Sequence, residues 1–386
     1  MNICMLFQEY YPSDFRIEKE ARTLIGAGHK VFLICQRRKS EPPYETVDGL
    51  RIYRVDEYPL RGDLLFFQTL YYNPRRFQRL CEIIDSENIH ALHAHDLPTV
   101  LTAARAAKKY GLPLVFDMRE NYPVGILYWK KRRPWHLLVS NVWLARLAER
   151  ICIRLADRII VVSDEQWDRM VSFGAGDKTR IIMNTVDLSF LHANVSKTTP
   201  KPLQGFVAVY TGMLNRHRGL DTVISAMPLV RKSVPSARLK VVGDGNTKPE
   251  LERLTEQLHL NDYVEFLGWA DIPTMYGHIQ ESSVGVIPHR KNPHTDSTIP
   301  NKLFDYMALG KPVVASDLKP LRRIITETDC GRIFQPDDPK SCAQALIECS
   351  DLSRATAFGK NGQRFVATKY NWQTAANTLL DVYRSL

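Results

Sequence analysis

Short apolar runs, continuous rather than alternating and each followed by an amphipathic stretch, set the tightest bound on what this chain can fold into. Ile3–Phe7, Val31–Cys35, Ile52–Val55, Ala91–His95, Leu114–Asp117 and Ile159–Ser163 are such runs, with helical periodicity over 16–26, 75–87, 98–109 and 143–156 between them. A strand that is apolar on both sides is buried on both faces, as in parallel sheets covered by helices. Residues 188–204 show no period and carry two prolines, which reads as a linker. The alternation then resumes with Phe206–Thr211, Leu239–Gly243, Val264–Gly268, Val284–Pro288, Pro312–Ser316 and Gly331–Phe334, and helices near 219–232, 247–259, 302–309 and 339–350. The sequence therefore predicts an α/β protein with two doubly wound domains, 1–195 and 205–371, and a last helix over 372–386. Such sheets bind ligands at the carboxyl ends of their strands, so two domains facing a central cleft are expected to share one.

With 386 residues, 44% of them hydrophobic, the chain can bury sizeable cores without staples. Lys and Arg number 52 against 42 Asp and Glu, a net charge of +10 that suggests an anionic partner: phosphate groups, nucleic acid or an acidic membrane surface. No helix-turn-helix or RNA-recognition pattern supports nucleic acid. Seven cysteines with no Cys-x-x-Cys pair indicate neither a zinc site nor a redox dithiol and fit a reducing compartment. The N-terminus lacks the basic region of a signal peptide, and no apolar stretch approaches the ~18 residues of a membrane span.

Three loops of the second domain carry chemistry. In the first, Gly212 ends a strand, Arg216 and Arg218 follow, and a helix starts after Gly219. Free N–H groups at a helix start and two guanidinium groups suit phosphate, although a solvated basic turn reads equally well from this loop alone. The second, Val241-Val242-Gly243-Asp244-Gly245, lets backbone approach a ligand closely and is weak by itself. In the third, Pro300 and Asn301 open a helix with Lys302 in its first turn and Asp305 one turn on, and Gly310 closes it. Lys302 suits an anion, and a carboxylate at Asp305 can accept two hydrogen bonds from a vicinal diol such as a ribose; the competing reading is a surface ion pair.

This third loop resembles the donor-binding signature of glycosyltransferase family 4, of the GT-B architecture, in which a Glu-x7-Glu motif runs through a helix into a Gly-(Lys/Thr)-Pro-Val-(Val/Ile)-Ala-Ser strand. Gly310–Ser316 matches that strand fully, and Asp305 stands for the second acid, which the resemblance assigns to the nucleotide ribose. The first acid falls on Ser297, with Asp296 beside it as a substitute. Of the family's basic pair on the donor diphosphate, Arg218 matches the second; the first falls on Met213, for which Arg216 compensates. Gly243 and its turn, and Phe266-Leu267-Gly268 with Trp269, match the base-binding side. Leu24–Val31, Asp157–Ser163 and Tyr370-Asn371-Trp372 extend the likeness over nearly the whole chain. The resemblance implies two Rossmann-like domains, the first for acceptor and the second for donor, with 372–386 crossing back onto the first. It also implies a nucleotide-sugar donor, retention of configuration, no metal and no cofactor, with a donor phosphate oxygen taking the acceptor proton.

In the first domain, His93-Ala94-His95-Asp96 and Asp117-Met118-Arg119-Glu120-Asn121 end adjacent strands. Ionisable residues at such edges are functional candidates. His95 and Arg119 are expected at the reacting centre with Arg218 and Lys302, Arg119 taking the place of the family's usual histidine; Asp117 and Glu120 match the family around it. Arg16 is expected to reach the diphosphate or the acceptor. A metal on His93 and His95 is disfavoured because no third ligand is evident. Trp129-Lys130-Lys131-Arg132-Arg133-Pro134-Trp135 opens a window, 130–154, with seven basic residues and one acid. Aromatics beside cations suit a bilayer interface. Arg146, Arg150 and Arg154, opposite Leu144, Leu147, Ile151 and Leu155, read as the polar face of a surface helix whose leucines point inward. The reading is thus a cytoplasmic glycosyltransferase, peripheral at the inner face of the cell membrane, acting on a lipid-linked or oligosaccharide acceptor in cell-surface polysaccharide synthesis. A GT-B sugar-nucleotide epimerase or phosphorylase, or a non-catalytic nucleotide-binding module, stands as the alternative.

Overall fold

The computed structural model describes residues 1–12, 15–56, 72–129 (127–129 as backbone), 142–197 and 205–386. They form two compact units, Met1–Met183 with Ala375–Leu386, and Asn184–Thr374.

The first unit is built on eight strands: β1 (Asn2–Tyr10), β2 (Lys30–Gln36), β3 (Tyr44–Val47), β4 (Leu50–Val55), β5 (Ala91–His95), β6 (Leu114–Met118), β7 (Arg158–Val161) and β8 (Thr179–Ile181). Their order is β3-β4-β2-β1-β5-β6-β7-β8. Every pairing is parallel except the β3/β4 hairpin, which the sequence pattern misses because its edge strand is largely exposed and has no apolar run. From β1 the chain works outward to β4 and β3, then returns to β5, so direction switches between β1 and β5. The crevice beyond their carboxyl ends is where a sheet of this kind takes a ligand. All five residues of β5 and of β6 are buried. Helices such as Leu97–Tyr110 bury an alanine-rich face on them, Gly111 ending that helix at φ 67°.

The second unit carries β9 (Val207–Thr211), β10 (Arg238–Val242), β11 (Val264–Gly268), β12 (Val284–Ile287), β13 (Val313–Ser316) and β14 (Gly331–Phe334), all parallel, in the order β11-β10-β9-β12-β13-β14. Its switch point lies between β9 and β12. The expected linker is partly structured: Leu188–Val195 is a helix whose first turn is capped by Asp187, which accepts from Phe190 N at 3.1 Å. It packs on the helix Ile272–Gln280 and belongs to the second unit, so the units part at 183/184 rather than at 195. Two turns are too few for a period to show. Residues 198–204 lie outside the described residues. In the final helix, Trp372–Arg384, the residues from Ala375 onward group with the first unit, where the Tyr383 hydroxyl lies 2.7 Å from His93 Nδ1. Among the described residues no helix is long and apolar enough to cross a membrane.

Candidate active site

The second unit's crevice is assembled by close backbone contacts that need glycine. β9 turns at Gly212, whose N–H donates to Val242 O at 2.9 Å. A Cβ on Gly243, at φ +149°, would lie 1.9 Å from Gly212 O, so only glycine lets the ends of β9 and β10 close together. Leu214 N to Asp244 O, 2.9 Å, continues that seam. Arg216–Arg218 then form a single 3-10 turn. Gly219 ends it at φ +64°, where a Cβ would meet Pro288 O at 2.1 Å. Arg290, just past β12, fastens the turn: its N–H donates to His217 O at 2.9 Å and its Nε to Arg216 O at 3.0 Å, while the guanidinium pairs with Asp221 and Asp337.

Basic side chains surround this turn: the cations Arg218 and Lys302 and the histidines His217, His289 and His294. Arg218 Nη1 donates to Nε2 of the buried His289 at 3.0 Å, which requires that nitrogen to be unprotonated. Among the described residues Arg218 Nε has no hydrogen-bond partner. The Lys302 ammonium lies 3.7 Å from the centroid of the Tyr210 ring and beside Gly212. Enclosure, then the charge of Arg218, pushes Lys302 well below the ordinary ammonium range, with Asp305 pulling the other way. Burial, then neighbouring cations, pushes His217 and His294 down to about 4 and His289 well below its usual value. Burial first, and the charge of Arg218 second, hold this group of bases short of protons.

Asp305 is half-buried, one turn on from Lys302 in the helix Lys302–Ala308, with the Tyr276 hydroxyl 3.5 Å from its Oδ1. Burial, then the negative charges of Asp305 and Asp187, keeps Tyr276 protonated. Asn301 and Arg216 are exposed at the starts of their turns; Leu267 is half-buried on β11, and Gly268 next to it bridges to Gly243. Ser297 departs from its expected role. It is buried, and its hydroxyl donates to the carbonyls of Pro293 and His294 at 3.1 and 2.9 Å, which holds a turn together. Asp296 is likewise engaged, its Oδ1 accepting from Lys319 N at 3.1 Å at the start of the helix Lys319–Thr328. The sequence reading passed over His217, His289, Arg290, His294 and Tyr276. The one available signal was His289-Arg290 directly after the predicted strand Val284–Pro288.

In the first unit Arg16 does not reach toward a ligand. It is buried: Nε and Nη2 donate to the two oxygens of Asp117 at 3.0 and 3.1 Å, Nη1 to Ile182 O at 2.8 Å, and Nε lies 2.9 Å from Glu20 Oε1. Its side chain is the resident cation of a buried network. His95 Nδ1 is 3.1 Å from Asp117 Oδ2, and the ring of His93 stacks on that of His95 at 4.2 Å. Glu20, His93, His95 and Asp117 bring ligand atoms within 4.8 Å of one another, so the partners that the two histidines lack in sequence are supplied by the fold. The carboxylates that would hold a metal there already compensate the Arg16 charge. Burial opposes a carboxylate at Asp117, yet Arg16 and His95 outweigh it and hold the group well below its usual range. At Glu20 burial prevails over Arg16, with Asp117 adding to it, and the carboxyl is pushed up to about 7. His95 Nε2 has no partner among the described residues. Arg119 donates to Asp96 Oδ2 at 2.9 Å and lies over the Phe7 ring at 5.2 Å; Asp96 itself sits at φ 62° and ψ 157°, an extended positive-φ conformation few non-glycine residues adopt. Glu120 is half-buried, its carbonyl accepting from Tyr122 N at 2.9 Å.

Two parallel-sheet Rossmann-like units, one with a cationic crevice at its switch point, define the class: a GT-B transferase. The chain belongs to the family 4 glycosyltransferases, since residues 16–190 match the family described as Glycosyltransferase Family 4 and residues 205–351 match Glycosyl transferases group 1. It is 28% identical to a phosphatidyl-myo-inositol mannosyltransferase of Mycolicibacterium smegmatis, over 95% of this chain and 88% of that one. It is 24% identical to an uncharacterized glycosyltransferase of Methanocaldococcus jannaschii, over 100% and 98%. Anabaena HepE, solved in complex with UDP, shares the fold with a TM-score of 0.73 at 18% identity, all of both chains being covered.

Proposed function

We propose that this glycosyltransferase takes its donor, a sugar carried on a nucleoside diphosphate, in the second unit, and transfers the sugar with retention of configuration to a lipid-linked glycan. The observation that carries the donor half is the cation group at the β9/β12 switch point, with Asp305 one helical turn from Lys302. Arg218 and Lys302 meet the diphosphate, and Asp305 accepts from the ribose hydroxyls. Gly212 and Gly243 let backbone approach the nucleotide, with Leu267 on the base side. As the glycosidic bond breaks, negative charge grows on the diphosphate, and cations already in place stabilise it without reorganising. An oxygen of that departing phosphate takes the acceptor's proton, so no side chain is assigned as base. Arg119, Glu120 and His95 line the acceptor side of the reading. UDP in the HepE structure and the lipid named for the mycobacterial mannosyltransferase support this choice of ligand classes.

The acceptor reading carries a place: cytoplasmic, peripheral at the inner face of the cell membrane, in cell-surface polysaccharide synthesis. The basic segment that prompted it, 130–141, lies outside the described residues. The test is a thermal-shift ranking of UDP, GDP and ADP sugars, followed by transfer from the best donor to lipid-extracted acceptors. A protein stabilised by no sugar nucleotide overturns the donor assignment. Epimerised sugar nucleotide formed without acceptor identifies an epimerase instead.

A further inference from the structure

The helix Val142–Leu155 is turned the opposite way from its sequence expectation. Its buried positions are Ala145, Ala148, Glu149, Cys152 and Ile153. Leu144, Leu147, Ile151 and Leu155, expected to point inward, face out instead, together with Trp143; their exposures run from 37% at Leu144 to 68% at Trp143. Single exposed leucines are ordinary, but at about 100° per residue these five fall within one arc of about 120° and form a continuous stripe. Arg146, Arg150 and Arg154 are also exposed; the first two flank that arc and Arg154 falls inside its Trp143 edge. The helix's one acid, Glu149, is buried and bonded to Arg169, so the outer face carries three positive charges and no negative one. Phe173, 37% exposed and under the guanidinium groups of Arg150 and Arg169, extends the apolar area beyond the helix.

We propose that this outer face is the surface by which the protein docks on an anionic lipid bilayer, with the helix lying in the plane of the interface. The proposal deepens the membrane part of the reading above and fixes it on a particular face. Charge complementarity selects the occupant: a one-sign cationic flank beside an apolar stripe matches anionic headgroups over acyl chains. Leu147, Ile151 and Leu155 enter the acyl boundary, Trp143 sits at headgroup depth, and the arginines lay their stems along the apolar surface and put their charge among phosphates. The small residues of the inner face explain the orientation. Ala145, Ala148 and Cys152 let the helix axis approach its neighbours more closely than leucines would, leaving the large side chains to the outside.

The test is co-sedimentation of the full chain with vesicles of phosphatidylcholine alone and of phosphatidylcholine mixed with phosphatidylglycerol. Binding is expected to the mixed vesicles only, and to weaken with salt. Replacing Arg146, Arg150 and Arg154 together by Gln should lower the partition coefficient by roughly 100-fold, at ~1 kcal/mol for each charge. Leu147→Ser with Ile151→Ser should abolish binding at every salt concentration while leaving the thermal midpoint and sugar-nucleotide affinity unchanged. Wild-type protein that stays in the supernatant with anionic vesicles at low salt overturns the proposal. So does a Leu147/Ile151 double variant that binds as wild type, or a dimer in solution that this double variant dissociates, which would make the face a protein interface. If binding is lost only when Lys130, Lys131, Arg132 and Arg133 are neutralised, the membrane reading stands and this helix is excluded. Transfer to a detergent-solubilised acceptor, measured on the same samples, reports on the glycosyltransferase reading independently.

Discussion

Glu20→Gln isolates one group in the buried network of the first unit. Glu20 is fully buried, and although Arg16 lies 2.9 Å away, the carboxyl is pushed up to about 7 from the ordinary 4.5. A raised carboxyl contributes stability that is fully present below the unfolded pKa and is lost as pH rises through the folded one. The window is therefore about 4.5 to about 7. At 1.36 kcal/mol per unit the shift is worth on the order of 3 kcal/mol. Other groups slope differently. Asp117, held low, loses its contribution only as pH falls below the window, while His93, pushed down by burial, costs stability as pH falls below its unfolded value. Both are common to wild type and variant and largely cancel in the difference. Gln keeps an oxygen toward Arg16 and cannot ionise. The variant's stability relative to wild type should thus rise by about 3 kcal/mol between about pH 5 and about pH 8, a relative gain of roughly 6–12 °C in a unit of this size. Calorimetry at four pH values reads this, the second unit's transition being recognised by its rise with added UDP. A pH-independent difference, or a variant less stable than wild type at the alkaline end, would show that the Arg16–Glu20 pair outweighs burial and would refute the argument.

Further outcomes follow from the second unit. Asp305→Ala should lose ~1.5–3 kcal/mol of donor binding by titration calorimetry, the worth of hydrogen bonds to a charged group. Lys302→Met should lower kcat at least about tenfold with a smaller rise in donor KM, because the contact tightens as charge develops on the leaving group; a change confined to KM removes the catalytic role. Gly243→Ala, with its Cβ 1.9 Å from Gly212 O at φ +149°, should lower the second unit's melting transition and weaken nucleotide binding together, with the first unit's transition unmoved. Because Lys302 is held well below its ordinary pKa, diphosphate binding should be accompanied by proton uptake, seen as a dependence of binding enthalpy on buffer ionisation heat at alkaline pH.

What could be read from the sequence divides by the range of the interaction. β5, β11 and β14 have the bounds that their apolar runs give, because a strand buried on both faces writes itself into consecutive residues. β3 and the helix Leu188–Val195 are hidden, the one an exposed edge, the other too short to show a period. In the candidate site, Lys302 and Asp305 are readable as an i, i+3 pair. His289 is not, because strand order alone brings it to Arg218, 71 residues away in the chain. Arg16 is misread for a related reason: an arginine next to a loop looks free until the fold brings Asp117, 101 residues distant, against it. Over Val142–Leu155 the sequence shows two stripes but cannot say which faces in, since alanines and a cysteine bury as well as leucines where neighbours come close.

The balance of charge separates the two polar clusters. Around Arg16 the cation meets Asp117 on both oxygens and Glu20 beside it, and the two histidines are buried with them, so the acids there match or exceed the cation. Around Arg218 the reverse holds. Arg218 and Lys302 stand among three histidines with Asp305 as the acid acting on Lys302; burial lowers each of the depressed pKa values there first, and the charge of Arg218 lowers each of them further. A fold that keeps such a group together carries an electrostatic cost in the free state, and on the donor reading proposed above an arriving diphosphate would relieve it. That relief adds to binding, and more of it is realised as the leaving group gains charge. On the proposed reading the Arg16–Asp117 pair holds its unit in shape, and Arg218 and Lys302 of the second unit, which have no carboxylate ion pair among the described residues, are the cations that meet the diphosphate.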